Sequence, residues 1–305
     1  MNKGILVVLM GLALIGCEAQ EDRPKAAEAE MAMSWDTAQN EADRVLTIEG
    51  FSGPEAVRYD PDQDVYFVAN FNGDPAGDAN GFVSRVGAEG EVESMEYMTG
   101  TDEYPLHGAR GMFITGELLW VADAGGIHAF NRLTGEHEEF VDFSTFELGF
   151  INDISQAPDG ALYVTETGPE SRVFKVEDGE VSVALQDEAI GRPNGITWDA
   201  ASGRFVTVAW SGTQSFTAFA PGSDEVEEIA VSAGGNFDGV EIIGGRMLVA
   251  SQMDSTLRLV EGTVTRPYIM LTAAPADIGV DTKRNRVAVP YVAANRVDIW
   301  ALPGE

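Results

Sequence analysis

Apolar and polar residues alternate along this chain in short runs, broken by glycine, proline, asparagine and aspartate. In "PNGITWDAASGRFVTVAW" the apolar Ile196 and Trp198 flank the polar Thr197, the period of two expected of a half-buried strand. Ala201-Ser202-Gly203 marks a turn, and a more apolar second strand follows. The same scheme recurs in "GPEAVRYDPDQDVYFVAN", "GARGMFITGELLWVADAG", "INDISQAPDGALYVTETG", "FDGVEIIGGRMLVASQ" and "PADIGVDTKRNRVAVPYV". Each copy predicts two strands joined by a tight turn.

Aligned on their first inward apolar residue (Val57, Met112, Ile154, Ile196, Val240 and Ile278), the six copies carry a column two positions earlier. It reads Glu55, Arg110, Asn152, Asn194, Asp238 and Ala276, at intervals of 55, 42, 42, 44 and 38 residues. A period near forty with short strands and Gly/Asp/Pro turns predicts an all-β fold, a six-bladed β-propeller with four strands per blade. The last copy is one strand short. "VLTIEGF" (Val45 to Phe51) alternates like a strand ahead of the first copy and is expected to complete the last blade, closing the ring and removing an exposed sheet edge. The propeller then occupies residues 44–305.

The segment before it is of another kind. Lys3 precedes an apolar run from Ile5 to Gly16, too short to span a membrane but right for the core of a signal peptide. It ends in Leu14-Ile15-Gly16-Cys17, which looks like a bacterial lipobox. Residues 1–17 are therefore expected to be a lipoprotein signal with Cys17, the sole cysteine, as the lipidation site. Residues 18–43, rich in Ala, Glu, Asp and Gln without an apolar period, read as a flexible acidic tether. The protein is expected to be exported and lipid-anchored to a bacterial envelope membrane, facing the periplasm or the exterior, and to be a monomer. A formal net charge of −31 argues against a nucleic-acid partner, which needs a basic footprint.

In a propeller the innermost strands line a central channel, so residues some forty positions apart converge. Glu55 and Asp238 with the amide oxygens of Asn152 and Asn194 make an all-oxygen set with two negative charges. That chemistry suits one divalent cation, Ca²⁺ first, with Mg²⁺, Mn²⁺ and Zn²⁺ as alternatives. The three histidines, His107, His128 and His137, all fall within the second blade's stretch of sequence, which weighs against zinc. Taken singly, Pro-Asn-Gly, Asn-Asp and Asp-Gly are also turn formers. Arg110 is placed either to bind an anionic substrate group or to pair with Glu55 or Asp277, and the pair is favoured.

With its motifs "GPEAVRYD", "NDISQAPDGALYV", "PNGITWD" and "FDGVEI" in this order, residues 45–302 resemble the senescence marker protein/regucalcin/gluconolactonase family, and more distantly the paraoxonase-like propellers. The resemblance implies a metal-dependent hydrolase of a lactone or related ester. It makes Asp238 both metal ligand and general base, and gives Asn152 and Asp153 the task of orienting substrate. Phe150 stands where the sugar-lactone enzymes carry a substrate-contacting arginine, which implies a more apolar substrate. His107 occupies the region where paraoxonase-like enzymes place a histidine near the cation, although a surface-loop role is favoured. The competing reading is a non-catalytic propeller resembling NHL repeats, a binding platform for a protein or glycan, with the Asn and Asp side chains spent in turns.

Overall fold

Burial within each repeat follows the apolar pattern outward from the axis. Second strands such as Val65–Asn70 are apolar on both faces and are buried along their whole length. Fourth strands such as Val92–Thr99 and Glu180–Gln186 alternate and leave one face in solvent. A computed structural model, describing residues 42–74 and 76–302, arranges these strands as six four-stranded sheets. The signal segment, Cys17 and the tether as far as residue 41 lie outside the described residues.

Five sheets are built from consecutive strands. Their innermost strands are Pro54–Asp60, Met112–Thr115, Ile151–Gln156, Arg192–Asp199 and Phe237–Ile243. The sixth runs outward through Gly279–Asp281, Arg286–Tyr291 and Arg296–Ala301 and ends on the N-terminal strand Asp43–Glu49. The expected closing strand is thus present, two residues earlier than the pattern indicated. It pairs antiparallel with Arg296–Ala301, from Glu49 opposite Arg296 to Asp43 opposite Ala301. The Thr47 hydroxyl donates to Asp298 Oδ1 at 2.8 Å.

Each hydrophobic cluster lies between two neighbouring blades. Phe67 and Ala69 of the first blade pack with Leu119 and Phe130 of the second. At the closure, Ile48 and Ile299 of the sixth pack with Tyr66 and Val68 of the first. Six such clusters form a ring, so no blade buries its faces alone. Deleting Val45–Glu49 therefore opens the ring at the cluster around Ile48 and re-exposes a sheet edge. The expected outcome is loss of the cooperative thermal transition; a truncated protein that melts at the parent temperature would refute the closure.

Candidate functional site

The column residues owe their aim to β-bulges. In the first, third, fourth and fifth blades the register between innermost and second strand slips between Pro54 and Ala56, Ile151 and Ile154, Pro193 and Ile196, and Phe237 and Val240. Glu55, Asn152, Asn194 and Asp238 sit in those slips. A bulge carries an extra residue without a ladder partner and re-aims its side chain. The second and sixth blades, whose column residues are Arg110 and Ala276, have no such slip. Asn194 is thus tolerated inside the strand Arg192–Asp199 because it lies in the bulge.

The glycines after these residues serve close approach of backbones rather than turning. A Cβ on Gly195 would stand 2.2 Å from Asp238 O, and one on Gly239 would stand 2.4 Å from Asp277 Oδ1; neither glycine has a positive φ. The turn reading of Asn194-Gly195 and Asp238-Gly239 is thereby corrected. Gly195→Ala must push apart two innermost strands, at about 1–3 kcal/mol. For a domain of this size that lowers the melting temperature by roughly 2–4 °C per kcal/mol, measurable by thermal denaturation.

Glu55, Asn152, Asn194 and Asp238 line one cavity of about 340 Å³, a volume typical of small-molecule sites. All four are buried. Glu55 Oε2, Asn152 Oδ1, Asn194 Oδ1 and Asp238 Oδ1 accept no hydrogen bond from the described residues. One such buried oxygen costs about 1–3 kcal/mol; four on a single cavity call for a shared partner. The other polar atoms are held in place. Gln252 Nε2 donates to Asp238 Oδ2 at 2.6 Å, and Asn152 Nδ2 donates to Thr167 Oγ1 at 3.0 Å. Thr167 Oγ1 in turn donates to Pro193 O at 2.7 Å. With its amide nitrogen tied, Asn152 turns its carbonyl oxygen to the cavity.

Burial, together with the negative charge of Asp238, pushes the Glu55 carboxyl well above the ordinary carboxylate range. Burial, reinforced by Asp153, raises Asp238 to about 8, against the lowering hydrogen bond from Gln252. Neutralisation by a cation answers both this repulsion and the four unpartnered oxygens. Two carboxylates and two amides suit a hard ion that takes oxygen donors. No group of three or more His, Cys, Asp or Glu suited to a metal occurs among the described residues, so the amides are indispensable to the set.

Other expected site residues lie elsewhere. Asp153 is buried away from the cavity wall, its carboxylate accepting from Ile154 N at 2.7 Å and Ile196 N at 2.9 Å. It ties the third innermost strand to the fourth. Of the two partners expected for Arg110, Asp277 instead pairs with Arg58 at 3.5 Å, whereas Glu55 does act on Arg110 through its charge. Arg110 is buried, donates to Ile151 O at 2.8 Å, and lies 3.6 Å from the Phe150 ring centroid. Burial pulls its guanidinium down to about 10, against the raising pull of Asp123 and Glu55. His107 is half-buried, and its backbone N–H donates to Asp123 Oδ2 at 3.0 Å; it does not reach the cavity wall. His128 and His137 contact one another within the second blade, 3.0 Å apart.

Phe150 is on the wall, edge-on to Phe71. The remaining wall forms a second column that the sequence reading passed over. Phe71, Thr167, Trp210, Gln252 and Val292 line the cavity, each at or just beyond the end of the second strand of its blade. They fall 12 to 14 residues after the aligned apolar positions, so the same repeat alignment, carried one strand further, locates them. Arg192, two residues before Asn194, completes the rim.

No protein-family model and no curated protein matches the chain. Solved structures do. A gluconolactonase from Xanthomonas campestris superposes with a TM-score of 0.68 at 16% identity, over 85% of this chain and 89% of that one. A calcium-binding regucalcin from Agrobacterium tumefaciens gives 0.62 at 14%, over 85% and 96%. A streptogramin B lyase gives 0.62 at 13%, over 85% and 97%. The fold is shared by proteins of different chemistry, and the structural neighbours of this chain include members of the gluconolactonase/regucalcin family.

Proposed function

We propose that this protein is a divalent-cation-dependent hydrolase of a lactone or related ester, held at a bacterial envelope membrane by a lipid on Cys17. The observation that carries the reading is the set of four buried, unpartnered oxygens on one cavity. The gluconolactonase and regucalcin neighbours support it. The binding-platform alternative expects these side chains to be spent in turns, whereas they lie in strand bulges.

Glu55, Asn152, Asn194 and Asp238 would hold the ion, Ca²⁺ fitting the oxygen set best. When bound, it supplies Lewis-acid polarisation of the ester carbonyl and stabilises developing negative charge. Asp238, fixed through Oδ2 by Gln252, presents Oδ1 to the cavity and accepts the proton of the attacking water as general base. Asn152, steadied by Thr167, orients the substrate. Phe71, Phe150, Trp210 and Val292 seat its apolar body and exclude bulk water.

The test is a panel of lactones and aryl esters assayed with calcium and with excess chelator. Hydrolysis of at least one member that stops on chelation and returns with calcium is expected. Hydrolysis indifferent to chelation, or none across the panel, would overturn the reading.

A further inference from the structure

From the cavity rim we infer that Arg192 recognises a negative charge on the substrate, so that the site is built for a monoanionic lactone or ester with an apolar body. This rests on the hydrolase reading for the word substrate, but the anion-binding claim stands on the cavity alone.

Most arginines of this acidic chain are occupied. Arg58, Arg85, Arg132, Arg172, Arg204, Arg258 and Arg284 each contact a carboxylate. Arg192 meets no carboxylate and no hydrogen-bond acceptor through its side chain among the described residues, although acidic residues outnumber basic ones 50 to 19. An unpaired arginine on an outer surface would signify little. This one, though exposed, stands on the rim of the cavity that holds the four oxygen donors, which it shares with the apolar side chains of Phe71, Phe150, Trp210 and Val292. A guanidinium free of protein acceptors at a cavity mouth can take a carboxylate through two parallel hydrogen bonds.

Its backbone is also fixed. Gly191 precedes it with φ of 60°, where an added Cβ would meet Ser211 O at 2.8 Å. Pro193 follows with its restricted φ, and Arg192 itself pairs with Ser211 on the second strand. These constraints fix the point on the rim from which the side chain extends.

The charges agree. Glu55 and Asp238 contribute two negative charges, which a divalent cation cancels, and Arg192 then leaves the loaded site with one net positive charge. Along the strand Arg192 precedes Asn194 by two residues, roughly 7 Å of extended chain. Arg192 and Asn194 both line the cavity, so a substrate with its ester at the oxygen donors can carry a carboxylate toward the rim. Arg110 cannot take this part, being buried beneath Phe150 and committed to Ile151 O.

The probes are phenyl acetate and its anionic counterpart 4-acetoxybenzoate, with rates corrected for uncatalysed hydrolysis, and benzoate against benzamide in calorimetric binding to the calcium-loaded protein. The wild type is expected to prefer 4-acetoxybenzoate in kcat/KM and to bind benzoate over benzamide. Arg192→Gln is expected to lower the ratio of the two kcat/KM values, and the affinity for benzoate, by about 10- to 100-fold, the effect of losing a charged hydrogen bond. Arg192→Lys should recover part of both. An unchanged ratio in Arg192→Gln, benzoate binding that survives the substitution, or no benzoate binding by the wild type would each overturn the inference. If neither ester is hydrolysed, the hydrolase reading falls, and the benzoate comparison still decides whether Arg192 is an anion site.

Discussion

Asp238→Asn is expected to lower kcat/KM for lactone hydrolysis by about 10³-fold, within the range for loss of a general base. The substitution keeps the shape of the side chain and an oxygen for Gln252, but removes both the proton acceptor and one of two negative charges. The metal-free variant should melt no lower than the wild type, because a buried carboxylate raised by burial and by Asp153 is no longer forced into the fold. Steady-state kinetics with a parallel thermal melt separates the two effects. Activity within tenfold of the wild type would remove Asp238 from the chemistry.

The second large effect is the dependence of stability on calcium and pH. In the metal-free fold Glu55 and Asp238 bind protons more tightly than they would in an unfolded chain. The native state therefore holds more protons than the unfolded state as pH rises from about 4, the ordinary carboxylate value, to about 8. Between those limits the stability contributed by the protonated pair is lost progressively. Calcium replaces the protons, so its stabilisation should be largest near pH 8 and weakest near pH 5. At calcium one hundred times its dissociation constant the gain is about 2.7 kcal/mol, or roughly 5–10 °C for a domain of this length. Below pH 8 the apparent affinity should fall by up to about tenfold per unit for each proton displaced. Melting curves across pH, with calcium and with chelator, check this; a calcium shift that grows toward pH 5 would contradict it.

The fold was legible because a propeller repeats one local problem six times. Every blade needs an inner strand, a doubly buried second strand and a turn, and Val65–Asn70 or Leu118–Asp123 show that demand in their composition. The closing strand was legible for the complementary reason that the last repeat lacked its fourth member. Convergence of Glu55, Asn152, Asn194 and Asp238 followed from equal places in successive repeats.

What the pattern hid has physical causes. Asn-Gly and Asp-Gly favour turns locally, yet here the packing of neighbouring innermost strands demands Gly195 and Gly239, and the preceding residues become bulges. Asp153 has the chemistry of a catalytic residue, but its carboxylate is consumed by two backbone N–H groups, a fate that sequence spacing does not reveal. Spacing along the chain does not say which arginine receives Asp277, and only the ring geometry gives it to Arg58. Trp210, Gln252 and Arg192 reach the cavity from strand ends, where apolar periodicity stops.

Equilibrium binding of calcium to the purified protein is the most direct measurement of the oxygen-lined site. The wild type should bind one ion per chain at the cavity, and the double variant Glu55→Gln/Asp238→Asn, folded by its thermal melt, should bind none there. Retention of that ion by the double variant, or its absence from the wild type, would contradict a metal centre formed by these four side chains.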